Sequence, residues 1–133
     1  MSEEANVREA VPFFRVADIE RSLRFYVDGL GFVMANSWSP DGHLRWCALR
    51  LGLAGVMLQT REAAAAAPPE GVTICFQCRD ALALYRQFRG RGLDASRPFV
   101  GNSMWVTSVR DPDGFRLEFA SPTDAAEESE YDE

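Results

Sequence analysis

Asp18 and Asp80 stand 62 residues apart, and what surrounds the one surrounds the other. Each follows a short apolar run. Each precedes apolar residues at helical spacing, Ile19, Leu23, Tyr26 and Leu30 in the first case and Ala81, Leu84, Tyr85 and Phe88 in the second. An aspartate so placed accepts hydrogen bonds from the N–H groups that a first helical turn leaves unpaired. Gly31 and Gly92 then end the two stripes where a left-handed residue costs little. The spacing predicts helices over about residues 18–30 and 80–91.

The rest of the pattern repeats as well. The apolar runs before the two helices are AVPFFRV (10–16) and VTICFQC (72–78). After the first helix come GFVMANSW (31–38), HLRWCALRL (43–51) and GVMLQT (55–60), divided by the turn sequences SPDG (39–42) and GLAG (52–55). After the second come ASRPFV (95–100), SMWVTSV (103–109) and FRLEFA (115–120), with DPDG (111–114) making the last hairpin turn. This is an internal duplication, visible by pattern rather than identity, of a βαβββ module. Module one runs over 8–62 and module two over 71–121. The stretch AAAAAPPEG (63–71) lacks amphipathic spacing and is expected to be a connector with a helical turn in its first half. The fold class is α+β. Each sheet is expected to carry its helix on one face and to leave the other to line a shared concave surface.

Charge says less than its total suggests. The chain of 133 residues carries a net charge of −6, but Asp124, Glu127, Glu128, Glu130, Asp132 and Glu133 supply all of the excess. Residues 122–133 are therefore expected to be a solvated, disordered acidic tail on a neutral body. Neither a nucleic-acid surface nor an electrostatic funnel for cations follows from such a balance. Every basic residue is arginine, which excludes a Schiff-base lysine and a P-loop lysine. No run reaches the roughly 20 apolar residues that span a bilayer, and MSEEANVREA has no apolar signal core, so a cytoplasmic location is expected. Cys47, Cys75 and Cys78 are read as structural thiols, because two strand positions three apart point to opposite faces.

Period-two alternation assigns the strand faces. Pro12, Phe14 and Val16 should meet the first helix, with Val56, Leu58, Ile74, Phe76, Cys78, Leu117 and Phe119 likewise inward. Val11, Phe13, Arg15, Met57, Gln59, Thr73, Cys75, Gln77, Arg116 and Glu118 should face the concave side. Phe13, Met57 and Met104 then offer a soft apolar lining, and Trp38, Trp46 and Trp105 lie on strands that border it. Arg15, Gln59, Gln77 and Glu118 supply the few polar groups that orient a small molecule. The only histidine, His43, follows the SPDG turn and is a candidate general base if its ring turns inward.

The segments FRVADIERSLRFYVDGLGF (14–32) and VRDPDGFRLEF (109–119), in this order and separated by a second βα unit, resemble the vicinal-oxygen-chelate superfamily of glyoxalase I, bleomycin-resistance proteins, fosfomycin-resistance enzymes and extradiol dioxygenases. The resemblance covers residues 8–121. It implies a pair of βαβββ modules forming an incomplete eight-stranded barrel, often as a homodimer. In enzymatic members a divalent metal is held near the barrel axis by His, Glu or Gln. Those positions fall here on Val11, Met57, Thr73 and Glu118, of which only Glu118 binds a metal strongly. The resemblance thus implies metal-independent, cofactor-free binding of a small aromatic or amphipathic molecule, with Phe13, Arg15, Met57, Gln59, Thr73, Gln77, Met104, Trp105 and Glu118 as ligand-binding residues. The alternative is a metal-dependent glyoxalase-like lyase, isomerase or dioxygenase. A purely protein-interacting module is a third reading, favoured if side chains fill the concave face. Neither a nucleic acid nor a membrane is expected as a partner.

Overall fold

A computed structural model describes residues 6–61 and 70–132, so the expected connector lies, up to Pro69, outside the described residues. Strand β1 (Phe13–Val16) leads to helix α1 (Ile19–Leu23), and β2 (Val33–Trp38), β3 (Trp46–Leu51) and β4 (Ala54–Thr60) complete the first module. The second module repeats the order as β5 (Thr73–Gln77), α2 (Ala81–Gly90), β6 (Phe99–Gly101), β7 (Met104–Arg110) and β8 (Arg116–Pro122). The two aspartates cap as expected. Asp18 accepts from the Arg21 N–H at 3.2 Å and Asp80 from the Ala83 N–H at 3.0 Å.

The first helix differs from a uniform α-helix over 18–30. Beyond Leu23 it widens into a π-helical segment, Arg24–Gly29, in which the Leu30 N–H donates to the Phe25 carbonyl at 2.9 Å. Such widened turns occur where packing sets the side-chain directions rather than propensity alone. Here Tyr26, Gly29 and Leu30 all reach the buried side. Gly29 has a packing reason to be glycine, since a Cβ there would lie 3.1 Å from the Leu93 side chain. The strand expected over 95–100 also shortens to Phe99–Gly101, because Pro98 has no N–H to give a ladder.

Two four-stranded mixed sheets result, ordered β1-β4-β3-β2 and β5-β8-β7-β6, and they do not close into a full barrel. In each, the first and last strands of a module run parallel and the remaining pairs are antiparallel. Alternation is as read from the sequence: Phe14, Val16, Val56, Leu58, Phe76, Leu117 and Phe119 are buried, while Phe13, Arg15, Thr73, Cys75 and Gln77 are exposed.

One core serves both modules. Phe76 meets Phe32 edge-on at 5.9 Å and stacks on Phe119 at 5.1 Å, and Phe14 stacks on Phe115 at 4.3 Å. The DPDG turn adds polar links between the modules. The buried Tyr26 hydroxyl donates to Asp111 Oδ2 at 2.8 Å, and Asp113 Oδ1 accepts from the Ala17 N–H at 2.9 Å and from Arg61 at 3.2 Å. Arg91 donates to the Gly29 carbonyl at 2.8 Å. No described helix is long and apolar enough to cross a membrane.

The acidic segment departs from its expected disorder. Residues 128–131 run along the free edge of β6, where Phe99 bridges to Glu130 and the Val100 and Tyr131 N–H groups donate to Ser129 and Pro98. Tyr131 packs edge-on against Tyr85 and Trp105, both at 6.1 Å. An aromatic anchor and an unpaired strand edge outweigh the solvation of the neighbouring carboxylates.

Candidate functional site

Cross-strand register shows which side chains share the open face of each sheet. In the first sheet Arg15 pairs with Gln59, Gln59 with Trp46, and Trp46 with Trp38, so these four form one row across all four strands. Phe13, Met57, Ala48 and Asn36 form the next row in the same way. Neighbouring strands lie about 4.8 Å apart, so such a row is roughly 14 Å long. The Arg15 guanidinium lies 4.3 Å from the Phe13 ring centroid, a cation–π contact that holds both side chains over the sheet. Phe13 remains 41% and Trp38 54% exposed. This is an apolar, aromatic surface with one cation, Arg15, and two amides, Gln59 and Asn36, on it.

In the second sheet Glu118 is flanked by Cys75 and Ser108, and Thr73 by Arg116. The sequence assigns Arg15 and Glu118 to the same concave side, but Glu118 pairs with Arg116, whose Nη2 donates to Oε2 at 3.1 Å. Two positions apart on one strand share a face. That signal was in the sequence, and the proximity on the strand wins over any contact from β1, which pairs with β4. The ion pair is partly exposed, where such pairs contribute little. Glu118→Gln is therefore expected to change stability by less than about 0.5 kcal/mol, as read from urea unfolding midpoints.

Met104 shares the open side with Gly101 and Pro122. Trp105 does not. It pairs with Ser121 and Val100, whose side carries α2, and it packs on Tyr131, so it belongs to the inner side rather than to the ligand face. The Ser121 hydroxyl, on that same side, accepts from the Ala81 N–H at 2.8 Å. His43 lies exposed in the turn before β3, away from Glu118's strand, its N–H donating to Asp41. Gln77 is exposed opposite Ala120 and also edges a cavity of about 840 Å³ between the two modules, where Leu51, Ala54, Phe76, Leu84 and Arg91 contribute to the walls. The other expected ligand residues do not line that cavity.

A divalent metal does not fit the residues present. Of the four positions implied for it, Val11 and Met57 carry no hard donor, Thr73 carries a hydroxyl, and Glu118 is already bonded to Arg116. Among the described residues no three His, Cys, Asp or Glu side chains cluster so as to hold an ion. The thiols are no better suited to nucleophilic work. Burial pushes Cys47 up to about 11, burial and then the Glu118 carboxylate raise Cys75, and burial raises Cys78.

Comparison with known proteins gives a coherent result. A family model described as the Glyoxalase/Bleomycin resistance protein/Dioxygenase superfamily matches residues 10–119. No curated protein matches the chain. Among solved structures, TnmS3, an antibiotic binding protein from Streptomyces sp. CB03234, aligns with TM-score 0.71 at 19% identity over 90% of this chain and all of its own. TioX from Micromonospora sp. ML1 aligns with TM-score 0.70 at 19% identity over 86% of this chain and 98% of its own. A bleomycin-binding protein complexed with bleomycin aligns with TM-score 0.70 at 18% identity, again over 86% and 98%. At these identities the likeness speaks to the fold.

Proposed function

Because the chain belongs to the Glyoxalase/Bleomycin resistance protein/Dioxygenase superfamily, we propose that it binds a small aromatic or amphipathic molecule without a metal, as a sequestering protein, carrier or sensor. The observation that carries this reading is the pair of adjacent rows on the first sheet, Phe13 with Met57 and Arg15 with Gln59, Trp46 and Trp38, left exposed or half-exposed among the described residues. Apolar and aromatic surface with a few placed polar groups is the usual composition of a small-molecule site. Structural neighbours that bind an antibiotic or bleomycin support the same class of activity.

A ligand pocket buries most of its ligand, and one open sheet face does not. The proposal therefore includes a homodimer in which a second copy covers the face. The uncovered β2 edge, with Val33 67% and Met34 40% exposed, supports this, since β6 has residues 128–131 along it and β2 has nothing comparable among the described residues. A monomer at micromolar concentration in sedimentation would remove the dimer from the reading.

The binding claim is tested by a thermal-shift screen of planar aromatic antibiotics, since a ligand at 100 times its dissociation constant adds about 2.7 kcal/mol to stability. For any compound that shifts the transition, Phe13→Ala and Met57→Ala are each expected to weaken binding about three- to tenfold, because an aromatic or sulfur contact contributes about 0.5–1.5 kcal/mol. Both side chains are only partly buried, so folding should suffer less than binding. Lowered stability with unchanged affinity would show that the ligand sits elsewhere.

A further inference from the structure

The chain as a whole is acidic, but its open sheet faces are not. By register, the charged residues on the open side of the eight strands are Arg15, Arg50, Arg110, Arg116 and Glu118. Glu118 pairs with Arg116 at 3.1 Å, and Arg50 pairs with Glu9 at 3.3 Å. Arg110 donates to the Gly114 carbonyl, and Arg15 contacts the Phe13 ring. Neither of these two meets a carboxylate among the described residues. The other carboxylates that bear on this balance lie off the open face: Glu127, Glu130 and Asp132 sit with the β6 edge, Asp111 and Asp113 belong to the DPDG turn, and Asp41, in the hairpin loop between Trp38 and Trp46, is paired with Arg45 at 2.8 Å.

Resting on the small-molecule reading above, we infer that the ligand is an anionic flat aromatic, stacked on Trp46 and Trp38 with its acidic group at Arg15. Trp46 is two strand spacings from Arg15, about 10 Å, along a single row. A fused aromatic system with a carboxylate or sulfonate at one end spans that interval, and Gln59 between them can donate to a ring carbonyl. A cationic aromatic placed on the same Trp pair would meet a guanidinium that no carboxylate among the described residues neutralises. The sign of the local charge, not of the whole chain, sets this preference, because exposed charges farther away than a Debye length are screened.

Three matched probes test it: anthraquinone-2-sulfonate, the neutral 2-sulfonamide, and an anthraquinone carrying a trimethylammonium group, each titrated into the full chain by calorimetry at about 0.1 M salt, where the Debye length is about 10 Å. The sulfonate is expected to bind at least tenfold more tightly than the ammonium compound, with the sulfonamide between them. Arg15→Gln should abolish the sulfonate's advantage and leave the sulfonamide within about twofold, Arg15→Lys should restore most of it, and added salt should shrink it. Arg15 is exposed, so these variants should keep the parent's melting transition. Binding of all three probes with equal affinity, or preference for the cation, would overturn the charge selection while leaving the small-molecule reading standing. Absence of binding by all three probes would overturn the anionic-aromatic assignment, and the thermal-shift screen above decides the small-molecule reading separately.

Discussion

Asp111→Ala is expected to cost roughly 3–5 kcal/mol, the largest effect of any single substitution at a polar residue in this chain. The Asp111 carboxylate accepts from the Tyr26 hydroxyl at 2.8 Å, from the Phe115 N–H at 2.8 Å and from the Asp113 N–H at 3.0 Å. Tyr26 is fully buried and Asp111 is 4% exposed, so alanine would leave donors stranded with little water to take them up. Asp111→Asn is the informative contrast. Its oxygen can keep the two backbone donors and its amide can donate to the tyrosine oxygen, so the loss should stay under about 1.5 kcal/mol. Acid should separate the wild type from the Asn variant in a defined direction. Burial is the largest influence on Asp111 and raises its pKa above the ordinary 3.8, despite the three donors that oppose it. A carboxyl with a raised folded pKa contributes stability that is present in acid and lost as pH rises through that value. The wild type should therefore gain on Asp111→Asn as pH falls from 7 toward 4, on the order of the shift expected for such a buried carboxyl, when urea midpoints are compared. A gap that instead widened with rising pH would mean that the hydrogen bonds, not burial, control the residue.

The parts of the fold that were legible in the sequence are those with a local cause. Asp18 and Asp80 cap because an aspartate before an apolar stripe has an immediate use. The strand faces followed from alternation, and the buried set from Phe14 to Phe119 agrees with it. What was missed depends on contacts between distant segments. The π-helical turn reflects where Tyr26 and Leu30 must point to meet a core that includes the other module. Trp105 was placed on the ligand side because its strand borders the site, although counting from Glu118 through Ser108 puts it on the opposite face. The site's rows across β1, β4, β3 and β2 required the register, which a one-residue shift of any strand would have reversed. The acidic segment misled for a further reason: six carboxylates in twelve residues read as a solvated tail and concealed the one aromatic that matters.

That segment yields the second large effect. Ending the chain after Pro122 is expected to destabilise the domain by about 3–4 kcal/mol, because it removes an aromatic contact, several backbone hydrogen bonds and the cover on a strand edge together. Tyr131 accounts for much of this. Its ring meets Tyr85 and Trp105, and its hydroxyl accepts from Arg86 at 2.8 Å. Tyr131→Ala should therefore cost about 2 kcal/mol. Glu127 holds a different feature, the turn between β6 and β7. Its two carboxylate oxygens accept from the Asn102 and Ser103 N–H groups at 2.8 and 2.9 Å, and both of those residues have left-handed φ values of 51° and 61°. Glu127→Gln should cost less than Tyr131→Ala, since its amide oxygen can still accept from one of the two N–H groups. The ion pairs of Arg97 with Glu130 and Asp132, at 3.3 and 3.8 Å, lie on the surface and should add little. Salt separates the two kinds of attachment. If Tyr131 and the β6 pairing hold the segment, about 0.5 M sodium chloride should leave amide protection along Phe99–Gly101 intact, whereas Tyr131→Ala should lose it at any salt concentration. An unchanged melting transition after truncation, or protection that disappears with salt alone, would return the segment to a solvated tail and leave β6 as an open edge.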